Sequence, residues 1–120
     1  MATLFKTTAA IAKDASSGVV TIPTNGRRIV AMGLKIPTVT GAITAKLRHV
    51  DTDNTGLYVW APAGISSKTA GNYFTYTAEE SAAPKPLEGV PTTDAGVECE
   101  LTSAGTEAAA RSFVVWVWML

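Results

Sequence analysis

The chain has 120 residues, enough for a single domain, and its hydrophobic fraction of 47% is sufficient to build a core. Ten basic and ten acidic residues give a formal net charge of zero, which argues against a positive field for binding nucleic acid. The single cysteine excludes an internal disulfide and a cysteine-based zinc cluster. No segment reaches the roughly 20 apolar residues of a membrane span, and the N-terminus lacks the apolar core of a secretory signal.

The first half of the chain is predicted to form strands separated by turns. Residues 2–12 alternate weakly and predict a strand or an extended arm. A short strand over 19–23 precedes Asn25-Gly26, the strongest turn signal, because a type I′ turn needs positive φ at both central residues. Two long strands follow, over 27–36 and 42–50.

The second half continues the pattern, with strands predicted over 57–61, 72–77, 96–102 and 113–120. Residues 78–95 contain three prolines and predict a loop. Residues 106–111 have high helix propensity but are too few for more than one helical turn.

The final strand is unusual because residues 113–120 are apolar without interruption. Its β-branched and aromatic residues favour a strand over a helix. With a period of two, Phe113, Val115, Val117 and Met119 share one face, and Val114, Trp116, Trp118 and Leu120 share the other. A strand with one wet face would alternate apolar and polar residues. We therefore expect a second sheet to cover one face, and loops or a neighbouring subunit to cover the other. The subunit is the better candidate, because the loop over 78–95 carries few large apolar residues.

Together these patterns predict an all-β protein, an antiparallel β-sandwich resembling a jelly roll, with about seven or eight strands. The domain covers residues 1–120, and residues 1–15 could serve as an extended N-terminal arm on a neighbour. Shared parity predicts a core that contains Val30, Met32, Leu34, Ile43, Leu47, Leu57, Val59, Val97, Cys99 and Leu101.

Candidate sites for metal binding and catalysis are weak. Asp51, Asp53 and Gly56 match the opening of a calcium loop, but Pro62 stands where the bidentate glutamate belongs, so a polar turn is favoured. A lone histidine, His49, cannot build a histidine pair or a catalytic triad. Cys99 lies on an apolar strand face, where cysteine usually behaves as a small hydrophobic residue.

Two pairs of carboxylates, Glu79-Glu80 and Glu98/Glu100, lie on a loop and on a strand face. Neither pair is placed in a cleft that would separate its pKa values, so a solvated or salt-bridged face is favoured over acid–base catalysis. We therefore predict no enzyme activity, no catalytic residue, no cofactor and no metal.

Four aromatic residues, Tyr58, Trp60, Phe74 and Tyr76, could form a platform if their strands are neighbours. Such a platform can bind sugars, and the absence of a basic groove disfavours stacking on nucleic-acid bases. Core packing or a protein interface is favoured over both.

A short, neutral, Thr/Ala/Gly-rich all-β chain without site chemistry resembles the small cement or decoration proteins of tailed bacteriophage capsids. Some of these resemble a jelly roll, lie between major capsid subunits and clamp the shell after expansion. The resemblance implies a virion structural protein, made in the host cytoplasm and located on the capsid surface. It implies binding across junctions of the major capsid protein as a homodimer or homotrimer, without nucleic acid or membrane.

Two alternatives remain: a small carbohydrate- or ligand-binding β-sandwich, and another phage structural subunit of the tail or spike. An aromatic row exposed around a groove would favour ligand binding, whereas a row buried against protein would favour assembly. The residues that we expect at an interface are Phe5, Ile11, Tyr58, Trp60, Phe74, Tyr76, Trp116, Trp118 and Leu120.

Overall fold

The computed structural model describes residues 3–50, 58–77 and 90–120. The strands of this described part are β1 (Thr3–Ile11), β2 (Ser17–Ile22), β3 (Ile29–Ile36), β4 (Ile43–His49), β5 (Tyr58–Trp60), β6 (Gly71–Tyr76), β7 (Val97–Ser103) and β8 (Arg111–Met119). A short 3-10 turn, Ala63–Ile65, lies between β5 and β6. Among the described residues, no helix is long and apolar enough to cross a membrane.

The strands form two four-stranded sheets, with the order β1-β8-β3-β6 in the first sheet and β2-β7-β4-β5 in the second. Every strand pair is antiparallel, and the pairs β1·β8, β2·β7, β3·β6 and β4·β5 are those of one long hairpin wrapped into a barrel-like sandwich. This is the strand order of a jelly roll. The prediction of an all-β, jelly-roll-like antiparallel sandwich is confirmed.

The core lies between the two sheets and is built by period-two alternation. In β8, Phe113, Val115, Val117 and Met119 are buried, whereas the residues between them are only partly covered. The predicted core residues that the structure buries are Met32, Leu34, Ile43, Leu47, Val97, Cys99 and Leu101. Leu57 and the side chain of Val59 lie outside the described residues.

The prediction is wrong for Val30, because β3 carries a β-bulge at this position. Ile29 pairs with Met119 and Ala31 pairs with the next residue, Trp118, so Val30 is an extra residue in the ladder. A bulge restarts the alternation of a strand. Ile29 is therefore buried in the core, and Val30 is half-buried outside it.

The ends of β1 and β8 are held together by Arg27, which follows the Asn25-Gly26 turn. The φ values of +53° and +75° at these two turn residues are those that the sequence predicted. The Arg27 guanidinium donates to the Thr3 hydroxyl at 2.7 Å and to the main-chain oxygens of Met119 at 3.3 Å and Leu120 at 3.1 Å. One side chain thus fixes the start of the first strand and the end of the last.

The segment expected to form an arm contains β1, which pairs along its whole length with β8, from Thr3↔Met119 to Ile11↔Arg111. It is an edge strand of the first sheet. An additional contact of residues 1–15 with a neighbouring subunit stays a prediction.

The opposite end of the sandwich is organised around a buried carboxylate, Glu107, in the loop between β7 and β8. Its oxygens accept hydrogen bonds from the Ser103 hydroxyl at 2.6 Å, the Thr40 N–H at 2.9 Å and the Arg111 guanidinium at 3.0 Å. Its main chain also pairs with Asp14 and Ala15 in the turn after β1. These bonds hold residues 104–110 as an irregular loop, and no helical turn forms there.

The hydrogen bonds that Glu107 accepts lower the pKa of its carboxyl from the ordinary value of 4.5 to about 2. The largest contribution comes from the Ser103 hydroxyl, followed by the Thr40 N–H, and Arg111 and the Gly41 N–H add smaller ones. Hydrogen bonds to the charged form outweigh the desolvation that opposes them. Glu107 is therefore an ionised structural anchor.

Candidate functional site

The outer side of the first sheet carries a cluster of aromatic and small residues, which we call the aromatic face. Strand register places its members in adjacent rows, with Trp118 between Leu4 and Ala31, and Trp116 between Lys6 and Gly33. Tyr76 and Phe74 extend these two rows on β6. The aromatic face consists of Leu4, Val30, Ala31, Gly33, Phe74, Tyr76, Trp116 and Trp118.

The rings of this face pack against one another edge to face. The Phe74 ring centroid lies 4.8 Å from that of Trp118 and 4.5 Å from that of Tyr76, with interplanar angles of 78° and 77°. Such T-shaped pairs are favourable, so the cluster is held in one arrangement. It is nevertheless open to solvent, because Leu4, Phe74 and Tyr76 remain 51%, 45% and 47% exposed. A contiguous exposed apolar patch of this kind indicates an interaction site.

Gly33 lies beneath the rings and determines how close they come to the sheet. A Cβ at this position would lie 3.2 Å from Cε3 of Trp116, 3.5 Å from Cζ3 of Trp118 and 3.6 Å from Cδ2 of Phe74. These contacts leave little room for a side chain. Glycine within a strand often marks such a close approach. Here it allows the two tryptophans and Phe74 to lie close to the backbone.

A shallow depression of about 350 Å³ opens on the aromatic face. It is lined by Val30, Ala31, Phe74, Tyr76 and Trp118, so the bulge residue contributes directly to its wall. Of these side chains, only the Tyr76 hydroxyl and the Trp118 indole N–H can form hydrogen bonds. The depression is therefore suited to an apolar group.

The charged residues within the strands of the first sheet are all positive. None of the four strands of the first sheet contains Asp or Glu. Lys6 and Lys35 are exposed on the outer side, at positions that flank β8. Arg111, at the start of β8, is paired with Glu107.

The outer side of the second sheet has a different character. Arg48 pairs with Glu98 at 2.9 Å and with Glu100 at 3.1 Å, and Lys46 lies opposite Glu100 in the ladder. The two glutamates of β7 thus belong to a salt-bridged strand face, as the sequence predicted. This face contributes ion pairs, and the apolar cluster lies on the other side of the molecule.

The structure separates the residues that the sequence marked as interface candidates. Phe74, Tyr76, Trp116 and Trp118 come together on the aromatic face, and Leu120 is 50% exposed just beyond the end of β8. The other candidates do not join them. Ile11 is buried and Phe5 packs against the core.

Trp60 is also buried, and it lies on β5 of the second sheet. The side chain of Tyr58 lies outside the described residues. A platform of Tyr58, Trp60, Phe74 and Tyr76 therefore does not form, because β5 and β6 belong to different sheets. Leu4, Ala31 and Gly33 join the site instead, and only the strand register identifies them.

The other predicted sites that the structure describes lie on β7 of the second sheet, away from this face. Cys99 is buried, and burial together with the nearby Glu100 raises the pKa of its thiol to about 12, so it remains protonated. The calcium-loop candidates Asp51, Asp53 and Gly56, the pair Glu79-Glu80, and the side chain of His49 lie outside the described residues. Within the described ranges, no three His, Cys, Asp or Glu side chains come close enough to hold a metal ion.

No protein-family model matches the chain, and no curated protein matches its sequence. Among solved structures, the chain is similar to a chain of tomato aspermy virus, with 11% identity over 99% of this chain and 76% of that chain, and a TM-score of 0.45. It is also similar to a chain of the capsid asymmetric unit of cyanophage Pam1, with 16% identity over 96% and 84% of the two chains and a TM-score of 0.39. A structure of CBM4 is similar over 90% and 77% of the two chains, with 14% identity and a TM-score of 0.39. The fold assignment rests on the strand order and register described above.

Proposed function

We propose that this chain is a structural virion protein that cements or decorates a bacteriophage capsid by binding across junctions of the major capsid protein. The observation that carries the proposal is the exposed aromatic face, which is built on a rigid sheet and lacks catalytic groups. Aromatic residues are enriched at the centres of protein interfaces, and tryptophan and tyrosine are frequent among the residues that dominate binding energy. Burial of this face against the shell would stabilise the assembled state by mass action.

The proposal includes a location and an oligomeric state. The chain would be made in the host cytoplasm and lie on the outer capsid surface as a homodimer or homotrimer. A subunit of the tail or spike would use the same face, and labelling of virions with an antibody against the chain distinguishes these positions in electron micrographs.

The test is co-sedimentation of the purified chain with capsids assembled from the major capsid protein encoded in the same genome. We expect saturable binding of the wild-type chain. Trp116→Ala and Trp118→Ala should each weaken it by about 2 kcal/mol, roughly thirtyfold in Kd, because each removes a central aromatic contact. Val19→Ala is the control, because Val19 is 46% exposed on the second sheet.

Thermal melting of the same variants separates binding from folding. Both tryptophans are only half-buried in the isolated chain, so their loss should affect capsid binding more than monomer stability. Absence of wild-type binding to the capsids would refute the proposed function. Wild-type affinity of both tryptophan variants, with only a lower melting temperature, would limit the aromatic face to a role in folding.

A second candidate function is carbohydrate binding, and the exposed aromatic depression is the specific observation that favours it. Sugar recognition combines an aromatic surface with precisely placed polar groups, and the five lining side chains offer few. Titration of tryptophan fluorescence with cellohexaose and maltohexaose tests this function. Saturable quenching that disappears in Trp118→Ala would favour carbohydrate binding over capsid binding.

A further inference from the structure

We infer that the partner surface of the aromatic face is apolar at its centre and acidic at its rim, and that it belongs to a different protein. The inference rests on the proposed capsid-binding function and specifies the chemistry of the capsid patch that is bound. It follows from the distribution of charge on the two sheets and from the shape of the apolar depression.

Among the described residues, the strands of the first sheet carry no negative charge. The strands β1, β3, β6 and β8 contain no acidic residue, and their two outward cations, Lys6 and Lys35, are exposed. Among the described residues, neither lysine forms an ion pair. The second sheet differs, because its glutamates pair with Arg48.

The two lysines lie on either side of the apolar centre of the aromatic face. Lys6 on β1 lies beside Trp116 of β8, and Lys35 on β3 lies beside Val114 of β8. The two cations therefore flank β8 from opposite sides. Rim charges of this kind are best matched by charges of opposite sign on the partner. Two carboxylates on the partner surface, one on each side of its apolar centre, would complement the face.

A second copy of the chain is disfavoured as the partner of the aromatic face. A dimer formed through this face would bring two pairs of lysines around one apolar contact, and the strands of the first sheet would supply no carboxylate. Like charges placed around a contact disfavour that pairing. The homo-oligomer of the proposed function would therefore use a different surface.

The shape of the depression indicates what the centre of the partner patch presents. The depression lined by Val30, Ala31, Phe74, Tyr76 and Trp118 is concave and almost without hydrogen-bonding groups. Pockets of this kind accept an apolar side chain of the partner. The partner patch would therefore present one protruding apolar residue between its carboxylates.

The experiment measures capsid binding of the Lys6→Glu/Lys35→Glu double variant and of Phe74→Ala at 50 and 500 mM NaCl. The matched control is Lys13→Glu, an exposed lysine in the turn after β1. At 50 mM NaCl, we expect the double variant to bind capsids at least about tenfold more weakly than the wild type. The wild type should also bind more weakly at 500 mM than at 50 mM NaCl, because salt screens its lysines. Phe74→Ala should weaken binding at both salt concentrations. Lys13→Glu should bind like the wild type.

The outcomes separate this inference from the proposed function. Without wild-type binding to capsids, the proposed function fails, and the inference fails with it. If the wild type binds but the double variant binds equally or more tightly, the partner rim is not acidic and only the inference is refuted. Sedimentation of the chain alone provides the other test. Loss of a homo-oligomer in Phe74→Ala would assign the face to a second copy and overturn the inference.

Melting temperatures would show whether the variants are folded. Lys6, Lys35 and Lys13 are exposed and Phe74 is 45% exposed, so each variant should retain the core of the sandwich. Saturable cellohexaose or maltohexaose binding that competes with capsids would show that the face is a sugar site, and would also overturn the inference.

Discussion

At the scale of single residues, Leu47 tests whether the inward positions of the strands carry the stability of the sandwich. Its side chain is fully buried, whereas that of its neighbour on the opposite parity, Thr44, is only partly covered. Leu47→Ala should lower the free energy of unfolding by roughly 2–5 kcal/mol, because it empties a filled core site.

The matched variant is Thr44→Ala, which removes a hydroxyl that accepts one exposed hydrogen bond from the Ser67 N–H. It should cost less than about 1 kcal/mol. Chemical denaturation measures both values, and equal costs would show that the inward and outward positions of β4 are not energetically distinct.

Glu107 makes a prediction about acid stability. Its folded pKa of about 2 lies below the ordinary value of 4.5, so the native state favours the ionised form. The resulting stabilisation is fully present above the ordinary pKa and is lost as the pH falls through about 2. Denaturation at a series of pH values should therefore show a decline of stability between roughly pH 4.5 and pH 2.

The Glu107→Gln variant provides the control for this decline. It removes the titrating group and retains a side-chain oxygen that can accept hydrogen bonds. It should be less stable than the wild type at neutral pH and should show a smaller decline between pH 4.5 and pH 2. An unchanged decline in the variant would assign acid sensitivity to other carboxylates.

At the scale of secondary-structure elements, the pairing of β1 with β8 depends at one end on Arg27. Arg27→Ala removes the bonds to Thr3, Met119 and Leu120. We expect faster hydrogen exchange in residues 3–5 and 117–120, with exchange in 7–9 and 113–115 nearly unchanged, because fraying is local.

Arg27→Lys should give an intermediate result, because an ammonium group cannot reproduce the geometry of the guanidinium fork. Mass spectrometry of proteolytic peptides after exchange resolves these segments. Wild-type exchange in both variants would show that the ladder alone holds the ends, and uniform acceleration in all strands would indicate a global rather than a local effect.

The strands themselves could be predicted from sequence because alternation is a local property. The inward and outward faces of β4, β7 and β8 follow directly from a period of two. The bulge at Val30 could not be predicted in this way, since it depends on pairing of β3 with a strand far along the chain. One extra residue in a strand reverses the inward and outward positions of the residues that precede it in that strand.

The candidate site was predictable only in part for the same reason. Trp116 and Trp118 were identified because an uninterrupted apolar strand needs two covers. Phe74 and Tyr76 were also among the candidates, but Leu4, Ala31 and Gly33 were not, because the sequence pattern does not specify which strands lie beside β8. The condition for grouping Trp60 with Phe74, that their strands are neighbours, is not met, because proximity in sequence does not determine membership of the same sheet.

At the scale of the whole molecule, the two outer faces differ in the side chains that they present to solvent. The second sheet presents ion pairs between Arg48 and two glutamates, which remain compatible with water. The first sheet presents aromatic rings around a shallow depression, and its two outward lysines form no ion pair with another residue in the described part of the chain. A sandwich with such unlike faces has a defined orientation on any surface that it binds, with the salt-bridged sheet directed outward.

The wrapped topology also has a consequence for synthesis on the ribosome. β1 pairs with β8, which begins more than a hundred residues after the start of β1. The first strand to emerge therefore cannot form its ladder until the last strand has been synthesised. Contacts of such long sequence separation slow folding and leave unpaired strands exposed in the nascent chain. The first sheet, including the face proposed to bind the capsid, can therefore close only after translation has reached β8. An incomplete chain would therefore not present the complete aromatic face before its last strand is made.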